Sequence, residues 1–196
     1  MTSLRRLFPA AFAAALVLGS GSAVQAQVFT LPFMAPQSES SLGVYLSDFG
    51  DLALEGIARG NFGGFNLGLR GGIVDADDNT GVTIGGELRN PLELGTAPLD
   101  MAFTAGVQGL LGDFDGIGAQ VGLSIGHTFV PDTGGLRFTP YIHPRVAFID
   151  PGEPADGDLE LLADVGFDLD FASNLSLRLG NNVGDGADWG IGLAWR

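Results

Sequence analysis

The chain has no cysteine and no lysine, only two histidines, and no apolar run long enough to cross a bilayer as a helix. Without cysteine it makes no disulfide and offers no thiolate to a metal, which is compatible with an oxidising periplasm. Without a spanning helix, any insertion into a membrane must be by strands. The nine cations are all arginine, set against 23 carboxylates, for a formal charge of −14. So acidic a chain is a poor partner for nucleic acid or for a bare anionic surface. It carries no phosphate loop, no histidine-rich metal cluster and no nucleic-acid motif.

Residues 1–26 read as a secretory signal. Arg5 and Arg6 form the positive start, Leu7 to Gly19 is a short apolar run, and Val24-Gln25-Ala26 is a small-residue cleavage site before Gln27. Loss of the two signal arginines takes the formal charge from −14 to −16. Residues 27–41 have no clean period and are expected to be a periplasmic lead-in. The rest, 42–196, alternates apolar with small or polar residues, which is the period of a strand. Ten strands are expected, at 42–47, 51–60, 64–74, 81–89, 99–111, 117–129, 136–149, 158–170, 174–181 and 187–195, with eight as the alternative count.

Within each strand the charges share one parity and the large apolar residues the other. In 158–170, Leu159, Leu161, Val165, Phe167 and Leu169 alternate with Asp158, Glu160, Asp164, Asp168 and Asp170. In 136–149, Phe138, Ile142, Val146 and Phe148 alternate with Arg137, Tyr141, His143 and Arg145. A soluble sandwich alternates too, with its apolar face in the core. The signal and the depth of the aromatics favour an antiparallel up-and-down transmembrane barrel. With both termini periplasmic, Phe65, Phe129, Phe138, Phe171 and Trp195 fall near one interface and Phe148 and Trp189 near the other.

Signal, alternating strands, short turns and the ending Gly190-Ile191-Gly192-Leu193-Ala194-Trp195-Arg196 together resemble the small outer-membrane β-barrels of the OmpA/OmpX-like type. That resemblance implies the outer membrane of a Gram-negative-type bacterium, reached by secretion through the inner membrane. It also implies contact with outer-membrane lipid and lipopolysaccharide, and with the barrel-assembly machinery during insertion. The ending departs from the usual assembly signal, because Arg196 follows the aromatic residue. The resemblance assigns no functional residue.

The lumen parity collects Glu55, Arg59, Arg70, Glu87, Arg89, Arg137, Arg145, Glu160, Asp164 and Arg178. Near-balanced charges on these positions are expected to form an ion-pair network, because arginine presents a rigid fork to carboxylates. A bore of this size is expected to be plugged or narrow, although many inward glycines leave room for water. The loops at the outer end carry acids without arginine: Asp48, Asp51, Asp75, Asp77, Asp78, Asp113, Asp115, Asp150, Glu153, Asp156, Asp158, Asp185 and Asp188. Asp75, Asp77 and Asn79 repeat the alternate oxygen spacing of a calcium loop, but Thr80 and Gly86 stand where its turn glycine and final glutamate belong. The loop is therefore either a polar hairpin or a calcium site; no other cofactor is expected. Calcium bridging of the acidic rim to lipopolysaccharide phosphates competes with plain loop chemistry and solubility in salt.

His143, inward beside Tyr141, Arg145 and Asp164, is expected to be a hydrogen-bonded structural residue, and the chain is expected not to be an enzyme. Three functions stay open: a structural or surface-interaction barrel, a narrow channel for ions or small solutes, and a lipid-modifying enzyme. Pro140 and Pro144 are four apart, so their missing N–H donors point at one neighbour. The strand 136–149 is expected to keep its ladder on one side and a gapped one on the other.

Overall fold

The computed structural model describes residues 30–48, 52–76, 79–93, 95, 98–112, 116–131, 135–150, 157–183 and 189–196. The expected signal lies outside the described residues. The alternating segments form ten antiparallel strands: β1 (Ser41–Asp48), β2 (Leu52–Phe62), β3 (Phe65–Ala76), β4 (Asn79–Leu92), β5 (Asp100–Gly112), β6 (Gly116–Gly126), β7 (Arg137–Asp150), β8 (Asp158–Asp170), β9 (Leu175–Val183) and β10 (Trp189–Trp195). Each pairs with its sequence neighbour, and β1 closes on β10 from Leu42↔Trp195 to Asp48↔Trp189. An even number of strands puts the start of β1 and the finish of β10 at the same end, here called the terminal end. At that end Gly63 and Gly64 turn β2 into β3 with φ of +58° and +94°, the two positive values that a tight two-residue hairpin demands.

Period 2 gives every strand one face outward and one inward. Outward stand Leu54, Leu69, Ile73, Ile84, Val107, Val121, Leu161 and Leu193, all exposed, with Leu69 at 72% and Leu161 at 80%. A belt of exposed aliphatic side chains on a closed wall is stable against hydrocarbon and not against water. Phe65, Phe129, Phe171 and Trp195 are exposed toward the terminal end, and Phe148 and Trp189 toward the distal end. His127 and Phe129, just past β6, form a run of ring contacts with Phe138 of β7 and Phe167 of β8, with centroids 4.7, 6.3 and 5.5 Å apart.

The interior is filled. Toward the distal end, Ala53, Val74, Leu110, Ala147, Ile149 and Leu162 turn inward and form an apolar layer. Below it lies the charged layer. Through it runs the N-terminal segment. Within the 27–41 segment, the described Thr30 to Ala35 are buried inside the barrel, with Leu31, Phe33 and Met34 each 1% exposed. The segment has no strand period because it joins no sheet. Its carbonyls bond to side chains of the wall, so neither of its faces is required to be uniformly apolar.

The wall has one soft seam. The β7–β8 ladder runs unbroken from Arg137↔Asp170 to Ile149↔Asp158. The β6–β7 ladder pairs Gly122↔Arg145 and Ile125↔Ile142 but skips the positions between them, where Pro144 lacks a donor. β6 therefore stops at Gly126 and not near 129, and continues only through His127 N–H to the Pro140 carbonyl at 3.3 Å and a Phe129↔Phe138 bridge.

Candidate functional site

The chemistry-bearing residues converge in the bore, in three groups. The first holds the N-terminal segment. Glu55 accepts from Arg70, from Thr83 Oγ1 at 2.7 Å and from Thr30 Oγ1 at 2.5 Å, while Gln108 donates to it at 3.1 Å. Glu87 accepts from Arg59, and Arg70 lies 3.8 Å from its other oxygen. The same arginines donate to the segment's backbone: Arg59 to the Pro32 carbonyl at 2.8 Å, Arg70 to the Leu31 carbonyl at 3.1 Å, and Arg89 to the Ala35 carbonyl. Ser124 donates to the Met34 carbonyl. A guanidinium has more donors than one carboxylate uses, and the carbonyls of Leu31, Pro32 and Ala35 accept from the three arginines. Phe33 packs against Tyr45 with ring centroids 4.7 Å apart and planes tilted by 43°, and Arg59 lies 6.0 Å over the Tyr45 ring.

The second group spans β5 to β9. His143 Nδ1 lies 2.8 Å from Asp164 Oδ2, and His143 Nε2 lies 2.7 Å from Thr104 Oγ1. Arg145 grips both oxygens of Asp164, at 3.0 and 3.2 Å, and donates to Gln120 at 2.7 Å. Asn182 adds a donor to Asp164 at 2.7 Å. Thr104, His143, Arg145 and Asp164 are all 2% exposed or less. A hydroxyl, an imidazole and a carboxylate in this order form the relay that activates an oxygen nucleophile.

The third group closes the terminal end. Glu39 joins Arg137 at 2.8 Å and Arg196 at 2.6 Å, and Asp170 lies 3.2 and 3.4 Å from the same two arginines. The arginine that departs from the usual ending thus ties the last residue of the barrel to the foot of the N-terminal segment.

Of the ten lumen residues named from parity, Glu55, Arg59, Arg70 and Glu87 meet in the first group and Arg145 with Asp164 in the second. Arg178 lies 3.3 Å from Asp168 and donates to Tyr45 Oη at 2.8 Å. Arg137 sits half-exposed at the end of the bore. Glu160 is half-buried on the inward face toward the distal end. Arg89 is in no ion pair among the described residues; Ala35 and Asn66 hold it. Parity did not single out Thr30, Thr104 or Asn66. The inward phase of Thr104 and Asn66 was readable and that of Thr30, in an aperiodic segment, was not; which residues face one another across the bore was readable for none of them. Asp75 is exposed at the end of β3, Asp77 lies outside the described residues, and Asn79 pairs through its backbone with Ala76. Among the described residues no three histidines or acids converge as a metal site. Of the rim acids, Asp51, Asp77, Asp78, Asp113, Asp115, Glu153, Asp156, Asp185 and Asp188 lie outside the described residues.

No protein-family model matches the chain, and no curated protein does. Among solved structures it is similar to the KdgM porin, with 7% identity and a TM-score of 0.41 over 80% of this chain and 98% of that one. It is also similar to LpxR from Salmonella typhimurium, with 11% identity and a TM-score of 0.43 over 87% of this chain and 78% of that one. The likeness is one of fold alone, and it does not single out the OmpA/OmpX-like type. The expectation that the chain is not an enzyme is corrected. The similarity to LpxR leaves that expectation without support. The sequence reading also lacked the hydroxyl partner of His143, which the fold supplies from a strand two places away.

Proposed function

We propose that this protein is an integral outer-membrane barrel of a Gram-negative-type bacterium that stands closed in its resting state, filled by its own residues 30–37. Its role on this reading is structural and interactive. The wall meets outer-membrane lipid, and the acidic loops meet lipopolysaccharide or partner surfaces through divalent cations. The observation that carries the closed state is the set of bonds from Arg59, Arg70 and Arg89 to the carbonyls of Pro32, Leu31 and Ala35. Refolded protein in a planar bilayer tests it. Silence at moderate voltage is expected; regular conductance steps from the unaltered chain would make it a channel.

A second reading rests on the Thr104–His143–Asp164 relay, which is buried on the inward face and suits acyl transfer from a lipid ester once the bore opens to admit it. His143 would take the Thr104 proton as the hydroxyl attacks an ester carbonyl, return it to the departing alcohol, and then take a proton from the water that cleaves the acyl-threonine and frees the fatty acid, restoring the Thr104 hydroxyl. Fatty-acid release from phospholipid or lipopolysaccharide vesicles, lost in both His143→Gln and Thr104→Val, supports it. No release by the folded wild type ends it.

A further inference from the structure

The residues that grip the N-terminal segment are not charge-neutral toward it. Glu55 and Glu87 balance Arg59 and Arg70. Arg89 is the surplus cation: 3% exposed, bonded to a carbonyl of the segment and to the Asn66 amide oxygen, with its Nε unbonded. Arg59 Nη1 is likewise buried without a hydrogen bond. A buried guanidinium without an anion is costly, and carbonyl dipoles offset only part of that cost. The segment's carbonyls occupy positions that suit the oxygens of an anion.

We infer that the bore is a latent conduit for small oxyanions, with residues 30–37 standing in for the permeant species. The inference rests on the closed-barrel reading. When the segment leaves, Arg59, Arg70 and Arg89 lose their carbonyl partners together and face the bore in the strand order β2, β3, β4. Carboxylates and phosphates accept from such forks in pairs. The acidic loops act in the opposite sense and favour cations at the mouth. The sign of the selectivity therefore tells which field governs.

The test uses the full chain. Leu31→Ser with Phe33→Ser removes the segment's apolar anchors, which pack near Gly180, Gly190 and Tyr45. Folding is checked by strand circular dichroism and by heat-dependent gel migration. In a potassium chloride gradient the folded variant should conduct in steps, with a reversal potential on the chloride side, and inorganic phosphate should lower the current. Adding Arg89→Gln should bring the chloride-to-potassium permeability ratio down to about one. If the serine variant does not fold, Glu39→Gln with Arg196→Gln loosens the foot of the segment at a partly exposed position and should give brief openings of the same selectivity. A folded variant that stays silent, passes cations preferentially or ignores phosphate overturns the inference. Conductance by the unaltered chain instead overturns the closed-barrel reading, so the two failures are distinct.

Discussion

Thr104 Oγ1 and His143 Nε2 lie 2.7 Å apart although β5 and β7 are not neighbours. The strand between them contributes Gly122, paired with Thr104 on one side and Arg145 on the other. A Cβ on Gly122 would stand 2.8 Å from the imidazole nitrogen and 2.8 Å from Arg145 Cβ. The glycine is a passage: two side chains meet over the strand because that strand presents none there.

Gly122→Ala should therefore destabilise the barrel by about 1–3 kcal/mol, the usual cost of overpacking. Gly56→Ala is the control, since its nearest atoms lie 3.9 Å away. Urea unfolding in detergent micelles compares the two. Equal stability would mean that the His143 ring is free to shift.

Arg145 and Asp164 form a buried pair, with side chains 0% and 3% exposed. Removing one partner, as in Asp164→Leu, leaves the other charge uncompensated and should cost about 3–5 kcal/mol. Arg145→Met with Asp164→Leu should recover much of that loss. The same unfolding assay, run as a double-mutant cycle, reads the coupling.

At the β6–β7 seam, amides of β6 between Leu123 and His127 should exchange faster than those of β8 opposite the same part of β7. Pro140→Val restores a donor that can reach the His127 carbonyl and should slow exchange along the seam. Strand-resolved hydrogen exchange in detergent measures both. Uniform protection on the two sides of β7 would show a complete wall.

The lipid-facing belt is tested by depth. Leu69, mid-strand and 72% exposed, should cost about 2–4 kcal/mol on change to arginine in vesicles. Leu159, near the start of β8 and 75% exposed, should cost about 0–1 kcal/mol. Equal effects, or none at Leu69, would place water and not hydrocarbon against the wall.

If the acidic loops take up divalent ions, calcium should raise the melting temperature beyond the effect of sodium chloride at matched ionic strength. Equal shifts would reduce the role of the rim to charge screening.

The two faces of the wall are written in the alternation of the strands. Period 2 and one parity for charge divide each strand into two faces, with Leu161, Val165 and Leu193 on the apolar one and Asp164, His143 and Arg145 on the polar one; the signal and the depth of the aromatics, not the period, turn the apolar face outward. The even spacing of Pro140 and Pro144 also marked β7 as a strand with one full ladder and one gapped, because both missing donors point to the same neighbour; which neighbour loses its bonds came only from the fold. Tertiary structure decided everything that crosses the bore. Closure brings Thr104 to His143 over a glycine, and it seats Leu31 and Phe33 against a wall more than ten residues away in sequence. No local period encodes such contacts, since they depend on the stagger of all ten strands at once. The same limit explains the N-terminal segment: its backbone is satisfied by arginine side chains and not by a ladder, so nothing in its own residues marked it as interior.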